Sequence, residues 1–166
     1  MFMKTNLLLI FMLACLSVFA QQLVEIKHSY DENPIKLTVK SIKDANESIQ
    51  AVVYKFEVKK IFEALVKAHE RGVEIKLLVD AKEAKKKKSF AKKARNLGIK
   101  VQKWKSGKLH AKFAIIDNKK VITGSFNWTE SAKEENLELI IIEKIPEVTL
   151  KFTALFNDLW KKATQE

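Results

Sequence analysis

Short runs of apolar, β-branched residues alternate along the chain with segments in which apolar residues recur at helical spacing. The first kind has the length and composition of buried strands, and the second has the period of helices that pack one face on a sheet. Predicted strands cover residues 23–30, 48–54, 73–79, 99–104, 110–116, 120–123 and 137–143. Predicted helices cover 35–46, 58–72, a lysine-rich stretch from Asp80 to about Gly98, a short segment after Asn127, and a segment from Pro146 onward. This order predicts an α/β fold with a mixed β-sheet sandwiched between helices on both faces.

The size and composition of the chain are those of a single domain. Its 166 residues are 47% hydrophobic and 31% charged, which is enough apolar material for a core. No internal repeat or linker divides the sequence. We therefore predict one folded domain over residues 21–166.

The first 20 residues differ in character from the rest. Lys4 is their only charge, and residues 7–20 are almost entirely apolar. This run is short for a transmembrane helix, which needs about 20 apolar residues. It fits a signal peptide that is cleaved after Val18-Phe19-Ala20, and export to the periplasm or medium follows. A lipoprotein signal ending at Cys15 and an uncleaved membrane anchor are the alternatives. Cys15 is the only cysteine, so a cleaved chain has no disulfide, zinc–thiolate site or cysteine nucleophile.

Basic residues outnumber acidic ones by 31 to 20, which gives a formal net charge of +11. Such a surplus favours polyanionic partners such as nucleic acid or anionic lipid. A surface rich in lysine and glutamate is also a habit of thermophilic proteins. The four consecutive residues Lys85, Lys86, Lys87 and Lys88 are interpreted in two ways, as a solvated helix start or as a patch that tracks phosphates.

One stretch of sequence carries a chemical motif. It contains His110-Ala111-Lys112, then Asp117, then Gly124-Ser125-Phe126-Asn127, and reads H-x-K-x4-D-x6-G-S-x-N. This pattern resembles the signature of the phospholipase D superfamily. Residues from about 48 to 143 resemble the small bacterial endonucleases of that superfamily, which carry one motif copy per chain. The resemblance implies a phospholipase D-like fold and a metal-independent phosphodiesterase without a cofactor.

The residue types in the motif suit phosphate chemistry. On a strand, His110 and Lys112 point to one side about 6.6 Å apart, so both reach one phosphate, while Ala111 and Phe113 face the core. Three further positions surround the same phosphate. Gly124 permits a close approach of backbone to an anion, and Ser125 and Asn127 add neutral hydrogen-bond donors. No carboxylate pair or His/Cys cluster in this stretch indicates a metal site.

In the reaction predicted from this set, neutral His110 attacks phosphorus and forms a phosphohistidine, and a second imidazole protonates the leaving oxygen. The other histidines of the chain, His28 and His69, have no motif around them and are expected to be surface or edge residues. The second imidazole is therefore predicted to be His110 of a partner chain. The resemblance implies the same homodimer with its site on the two-fold axis.

Four residues near the motif have two interpretations each. The resemblance makes Glu138 a carboxylate that orients the catalytic histidine, and the alternative is an ordinary strand glutamate. Asp117 is expected to cap a turn or pair with a lysine rather than do chemistry. Trp104 and Trp128 either stack on bases or pack at the edge of the core. The role of Asn136 stays open.

The leading functional hypothesis is a non-specific endonuclease acting on DNA or RNA. A phospholipase D or cardiolipin hydrolase is the second candidate, because the chemistry is the same and membranes are anionic. A catalytically silent nucleic-acid binding module is the third. An intact set of His110, Lys112, Ser125, Asn127 and Glu138 argues against the third, because binding alone does not need the histidine.

Overall fold

The computed structural model describes residues 23–131 and 136–164. Within these ranges the strands are β1 (Val24–His28), β2 (Ser48–Val53), β3 (Glu74–Asp80), β4 (Lys100–Trp104), β5 (Phe113–Ile116), β6 (Lys120–Gly124) and β7 (Leu139–Glu143). The helices are α1 (Pro34–Lys43), α2 (Lys59–Glu70), α3 (Ala91–Asn96) and α4 (Pro146–Thr164), with one 3-10 turn at Glu83–Lys85. All of the described strands belong to one mixed sheet in the order β1-β7-β6-β5-β2-β3-β4.

The sheet changes from parallel to antiparallel at β2. This strand pairs in parallel with β3, which continues to β4, and antiparallel with β5, which continues through β6 and β7 to β1. Because β6 is antiparallel to both β5 and β7, the start of β5, the end of β6 and the start of β7 lie at the same edge of the sheet. Phe113 is paired with Thr123, and Gly124 with Ile140. The segments that carry the motif therefore meet at this edge.

Helices cover both faces of the sheet. Ala51 and Val53 of β2 face one side, where their cluster includes buried residues of α1 and α2. Val52 faces the other side, where Phe156 of α4 is completely buried. Successive residues of a strand point to opposite faces, so a strand buried on both sides is apolar throughout. The predicted α/β fold with helices on both faces is confirmed.

The lysine-rich stretch after β3 differs from the prediction of a continuous helix. The carboxylate of Asp80 accepts hydrogen bonds from the backbone N–H groups of Lys82 (2.9 Å) and Glu83 (3.0 Å). This capping starts the short 3-10 turn. Of the four consecutive lysines, a helix would bring only Lys85 and Lys88, three residues apart, together on one face. Helix α3 begins only at Ala91.

Two predictions fall on residues outside the described ranges. The proposed signal peptide at 1–20, with its alternatives, is one, and most of the short helix after Asn127, over 132–135, is the other. Among the helices that the structure does describe, none has the length and apolar character needed to cross a membrane.

Candidate active site

Apart from Asp117, the motif residues gather at the edge of the sheet where β5 begins and β6 ends. Lys112 immediately precedes β5, and its carbonyl accepts a hydrogen bond from the Thr123 hydroxyl of β6 at 3.0 Å. Ser125 and Asn127 follow β6, and Glu138 precedes β7. Residues separated by up to 28 positions in the sequence thus belong to one local site.

The prediction that His110 and Lys112 lie on a strand is wrong. Strand β5 starts at Phe113, and the preceding chain is bent, with the His110 N–H bonded to the Lys108 carbonyl at 3.1 Å. A bond from residue i+2 to residue i closes a γ-turn, which breaks the alternation of a strand. Ala111 is consequently exposed rather than directed into the core, whereas Phe113 is buried as expected.

His110 sits beside positive charge. Its imidazole is exposed, and the pKa of the ring is lowered by the ammonium of Lys112, by partial burial and by the ammonium of Lys108. A cation close to an imidazole opposes its protonation. The ring is therefore held in its neutral form, in which one nitrogen keeps the lone pair that a nucleophile needs.

Lys112 lies over the same turn. Its ammonium donates to the His110 carbonyl at 2.7 Å. Burial, and to a lesser degree Lys108, lower the pKa of Lys112, while the carboxylate of Glu138 acts to raise it. A phosphate arriving here adds negative charge beside the ammonium and favours its protonated form.

A network of hydrogen bonds fixes Glu138. The side chain is 4% exposed, and its carboxylate accepts from the Ser125 hydroxyl and from the Asn136 amide (3.1 Å). The Ser125 oxygen in turn accepts from the Leu139 N–H at 3.0 Å. A buried carboxylate is tolerable only with such partners. Within the described part of one chain, no hydrogen bond joins Glu138 to His110, and its orienting role stays a prediction.

Asn127 retains unused hydrogen-bonding capacity. Its side-chain oxygen is buried and has no partner among residues 23–131 and 136–164. Buried polar atoms are nearly always satisfied, so this amide is suited to a group that the chain itself does not supply. Its predicted contact with a phosphate oxygen through the amide nitrogen stays a prediction.

Gly124 serves a different purpose from the one predicted. Its φ of +143° is unfavourable for other residues, and a Cβ at this position would lie 2.0 Å from the Leu139 carbonyl oxygen. The close approach that needs a glycine is thus between β6 and β7, not between backbone and an anion. Gly124 acts on the site by letting Ser125 and Glu138 come together.

Asp117 is a structural residue in this geometry. Its carboxylate is 9% exposed and accepts from the backbone N–H groups of Asn46 (3.0 Å), Glu47 (2.8 Å) and Ser48 (2.9 Å). Burial acts to raise its pKa, but these three hydrogen bonds and Lys119 outweigh it, and the pKa is lowered. The carboxylate ties the end of β5 to the start of β2 and lies at the opposite end of β5 from His110.

Sequence reasoning missed two residues of this site. The ring of Tyr54 lies 5.1 Å from the imidazole of His110, centroid to centroid. The carboxylate of Asp80 accepts the N–H of Leu109, the residue before His110, at 3.1 Å. Both follow apolar strand runs directly, at the ends of β2 and β3. Polar residues at the carboxyl ends of adjacent parallel strands meet at one edge, which is the signal that could have found them.

The lysine run is partly neutralised. Lys86 pairs with Glu83 at 2.7 Å, and Lys88 with Glu57 at 2.9 Å. Lys85 and Lys87 are exposed with no acidic partner among the described residues. The run lies beside the site. Glu83, the partner of Lys86, also accepts a hydrogen bond from the Tyr54 hydroxyl at 3.3 Å.

Trp104 and Trp128, the two candidates for base stacking, both pack against the core. Trp128 is 5% exposed and packs edge-on against Phe56 with centroids 5.4 Å apart. The suggestion that Trp128 stacks on bases is wrong, because its faces are covered by the core. Trp104 is partly buried against the α4 side of the sheet and donates its ring N–H to the Ser106 carbonyl at 3.0 Å.

The other two histidines have local partners. Nε2 of His28 lies 2.7 Å from the Asp31 carboxylate, and the ring of His69 lies against Gly98. Neither makes a hydrogen bond or ring contact to His110 in the described ranges. In those same ranges, no group of three or more His, Cys, Asp and Glu residues is arranged to hold a metal ion.

Comparison with solved structures defines the class of fold. Nuc from Salmonella typhimurium, a phospholipase D family member, superposes with a TM-score of 0.77 and 31% identity over 83% of this chain and 93% of that one. NucT from Helicobacter pylori has the same fold, with a TM-score of 0.75 and 23% identity over 83% of this chain and 96% of that one. The fold is therefore phospholipase D-like.

Sequence comparison gives the family. The chain matches the family model described as "Cardiolipin synthase, PLD-like domain" over residues 38–160, a range that includes the whole motif. The chain belongs to the phospholipase D superfamily. It is 39% identical to a phospholipase D of Rickettsia bellii over 77% of this chain and 63% of that one. It is 28% identical to the mitochondrial cardiolipin hydrolase of Mus musculus over 80% of this chain and 61% of that one. It thus spans less than two thirds of the length of these relatives.

Proposed function

We propose that this chain is a metal-independent phosphodiesterase that cleaves nucleic acid through a phosphohistidine intermediate, in an active site shared by two copies. The observation that carries the proposal is the pairing of His110, whose pKa is lowered, with the ammonium groups of Lys112 and Lys108. A neutral imidazole beside cations is the arrangement that attacks a phosphodiester and stabilises the charge of its transition state.

The first chemical step transfers the phosphoryl group to His110. A ring nitrogen of His110 forms a bond to phosphorus, and the bond from phosphorus to the leaving oxygen breaks. The proton for that oxygen comes from the partner's His110, whose protonated form is favoured by the negative charge of the bound phosphodiester. Lys112 and Asn127 lie at the same sheet edge and are the proposed donors to the phosphate oxygens, and Ser125 joins them only when its hydroxyl releases Glu138.

The second step hydrolyses the intermediate. The partner's imidazole, now neutral, removes a proton from water, and the water oxygen attacks phosphorus. The bond between phosphorus and nitrogen breaks, and a phosphomonoester leaves. Both steps run without a metal ion because the ammonium groups supply the positive charge.

The homodimer is proposed because one chain has one motif histidine. Apolar side chains surround the site on the β1–β7 side of the sheet, where Ile26 is 69% exposed, Leu139 is 44% exposed and Leu137 is 64% exposed. Leu139 also contacts the site through its hydrogen bond to Ser125. A second copy placed on this surface covers apolar area, and it brings a second His110 to the first when the two-fold axis passes beside the site.

Nucleic acid is the proposed substrate on two grounds. The net charge of +11 favours a long polyanion, and Nuc is 31% identical over nearly its whole length. A cardiolipin or phospholipid hydrolase is the second candidate. It is favoured by the cardiolipin hydrolases and phospholipases D among the relatives and by the exposed apolar side chains near the site. We also propose that residues 1–20 direct export.

The test of substrate and mechanism is direct. Purified protein is incubated with plasmid, single-stranded DNA, RNA and cardiolipin vesicles, each with and without EDTA. Cleavage of nucleic acid that survives EDTA is expected. Release of phosphatidic acid with intact nucleic acid assigns the lipid substrate, and nucleic-acid binding without any cleavage assigns the binding module. Cleavage abolished by EDTA contradicts the metal-free mechanism.

Subunit mixing tests the shared site. Wild-type chains are unfolded and refolded with an equal amount of chains that carry His110→Asn. Random assortment leaves about one quarter of the dimers with two histidines, so about one quarter of the activity per dimer is expected. A residual activity of about one half means that each chain works alone, and the shared site is then wrong.

A further inference from the structure

The nucleophilic side chain has no hydrogen-bond partner to orient it within the described part of the chain. His110 is exposed and lies in a turn outside the sheet, and the nearby Glu138 carboxylate is occupied by Ser125 and Asn136. An attacking group must be held within about 10–20° of its productive orientation. Some other contact must therefore set the plane of this imidazole.

The ring of Tyr54 makes that contact. The two ring centroids lie 5.1 Å apart with their planes inclined at 60°, which is within the range of favourable aromatic pairs. Tyr54 immediately follows β2, and the three preceding residues, 51–53, are at most 1% exposed. Its backbone is thus anchored in the middle of the core.

The outer end of Tyr54 is also held. Its hydroxyl donates to Glu83, which is 6% exposed and shares its carboxylate with Lys86. Desolvation and the negative charge of Glu83 raise the pKa of the tyrosine, so the hydroxyl remains a donor. The ring is therefore fixed at both ends.

The backbone beside the nucleophile is attached to the same turn. One oxygen of Asp80 accepts the N–H of Glu83, and the other accepts the N–H of Leu109. Contacts thus run in a closed circuit from Tyr54 through Glu83, Asp80 and Leu109 to His110 and back to Tyr54. The imidazole and the chain that carries it are held against one rigid turn.

The Tyr54 ring gathers the cations of the site as well. The ammonium groups of Lys108, Lys112 and Lys55 lie 4.9, 5.7 and 5.8 Å from its centroid. Cations at such distances are attracted by the ring quadrupole. Two of these lysines, Lys108 and Lys112, are the ones that oppose protonation of His110.

From this circuit we infer that Tyr54 is a positioning residue, whose ring orients the His110 imidazole and holds the phosphate-binding lysines around it. The inference rests on the proposed phosphodiesterase function. It assigns Tyr54 neither a bond to the substrate nor a proton transfer. The ring makes the contacts to His110 and the lysines, and the long hydrogen bond of the hydroxyl to Glu83, at 3.3 Å, only supplements the anchoring of that ring by β2.

The kinetic test compares Tyr54→Leu, Tyr54→Phe and Tyr30→Leu. Tyr30 is the other tyrosine of the chain and is 74% exposed, so it controls for the loss of a tyrosine. Tyr54→Leu is expected to lower kcat about 10- to 100-fold, because a misplaced nucleophile loses rate, and to raise KM by a smaller factor, because the lysines that the ring holds bind the phosphate. Tyr54→Phe and Tyr30→Leu are expected to stay within about threefold of wild type. The substrates are single-stranded DNA and bis(4-nitrophenyl) phosphate.

Several results overturn the inference. A rise in KM on DNA alone, with normal turnover of the small diester, makes Tyr54 a base-stacking residue. Equal losses in Tyr54→Phe and Tyr54→Leu place the effect in the hydroxyl. Unchanged kinetics in Tyr54→Leu remove the role altogether.

A spectroscopic measurement separates this inference from the proposed function. Proton–carbon correlation spectra of the three histidine rings are recorded for wild type and for each variant. The His110 signals are expected to move in Tyr54→Leu and to stay near their wild-type positions in Tyr54→Phe and Tyr30→Leu. This holds even if the protein cleaves no phosphodiester. His110 signals that are the same in all four proteins contradict the inference.

Discussion

At the scale of single residues, His110 and its lysine neighbours set one another's charge. Lys112 and Lys108 lower the pKa of His110, and burial and Lys108 lower that of Lys112. Positive groups therefore repel one another in the site, and a phosphate that enters reduces this repulsion. Phosphate binding and the protonation state of His110 are thus linked through the same charges.

The first prediction concerns the nucleophile itself. His110→Asn removes the nitrogen that forms the phosphoryl bond, and turnover is expected to fall at least about 1,000-fold. The exposed side chain bears little packing, so thermal stability and the Kd for single-stranded DNA are expected to change little. Single-turnover kinetics and fluorescence anisotropy measure the two effects. Residual turnover within tenfold of wild type rules out the phosphohistidine route.

A second prediction concerns protonation. Lys108→Gln removes a cation that opposes protonation of His110, so the pKa of His110 is expected to rise toward its ordinary value. The neutral nucleophile is then lost at a higher pH, and the acid limb of kcat/KM moves upward in pH. The pKa is read from a magnetic-resonance titration of the histidine rings. Lys67→Gln, an exposed lysine on α2, is the control and is expected to leave the titration unchanged. A fall in the pKa in Lys108→Gln contradicts the electrostatic account.

At the scale of elements, the site depends on how closely β6 and β7 approach. Gly124 lies at the end of β6 with a φ of +143°, and the Leu139 carbonyl occupies the space that a Cβ would need. The hydrogen bonds of Ser125 to Glu138 and Leu139 form across this junction. The pairing of two strands thus positions polar groups of the site.

The third prediction follows from that junction. Gly124→Ala is expected to lower the free energy of unfolding by about 2–3 kcal/mol, because the added methyl group collides with backbone. Gly72→Ala is the matched control, since Gly72 also has a positive φ, of +90°, but has open space around it. Its cost is expected to be about 1 kcal/mol. Urea denaturation measures both, and a loss in Gly124→Ala no larger than in Gly72→Ala contradicts the close approach.

Elements with strong apolar patterns could be predicted from sequence, and those set by single polar contacts could not. The strands at 48–54 and 73–79 were predicted within about two residues because burial on both faces demands largely apolar runs. The strand at 99–104 was predicted as closely, although it is a half-buried edge strand of mixed composition. The turn at His110 depends on Asp80, which is 30 residues earlier in the chain, and on a γ-turn that has no apolar signature. The motif therefore indicates which residues meet, but not that the nucleophile lies outside the strand.

At the scale of the whole molecule, one group of exposed apolar side chains and one run of exposed lysines lie on different elements around the site. Exposed apolar side chains occupy the β1–β7 side, where Ile26 and Leu139 are found, and exposed lysines follow β3. The site lies between the two. This separation suits a protein that associates through one side and meets a polyanion with the other.

The fourth prediction tests the polyanion surface. The double variant Lys85→Gln with Lys87→Gln removes the two lysines of the run that lack an acidic partner in the described structure. If both contact phosphates, the slope of log K against log salt for DNA is expected to fall by about 1–2. The control is Lys67→Gln with Lys161→Gln, which removes the same charge from α2 and the end of α4. Equal changes in the two double variants mean that the lysine run is an ordinary solvated surface that makes no particular contact with DNA.

The central claim is that two His110 imidazoles, one from each copy, meet at one phosphate. A crystal structure with tungstate, a stable oxyanion that imitates the transferred phosphoryl group, measures this most directly. We expect a two-fold dimer in which a ring nitrogen of each His110 lies within about 3–3.5 Å of the same tungstate, with Lys112 of both copies around it. A tungstate held by the His110 of one chain alone, or two His110 rings on distant surfaces of the assembly, contradicts it.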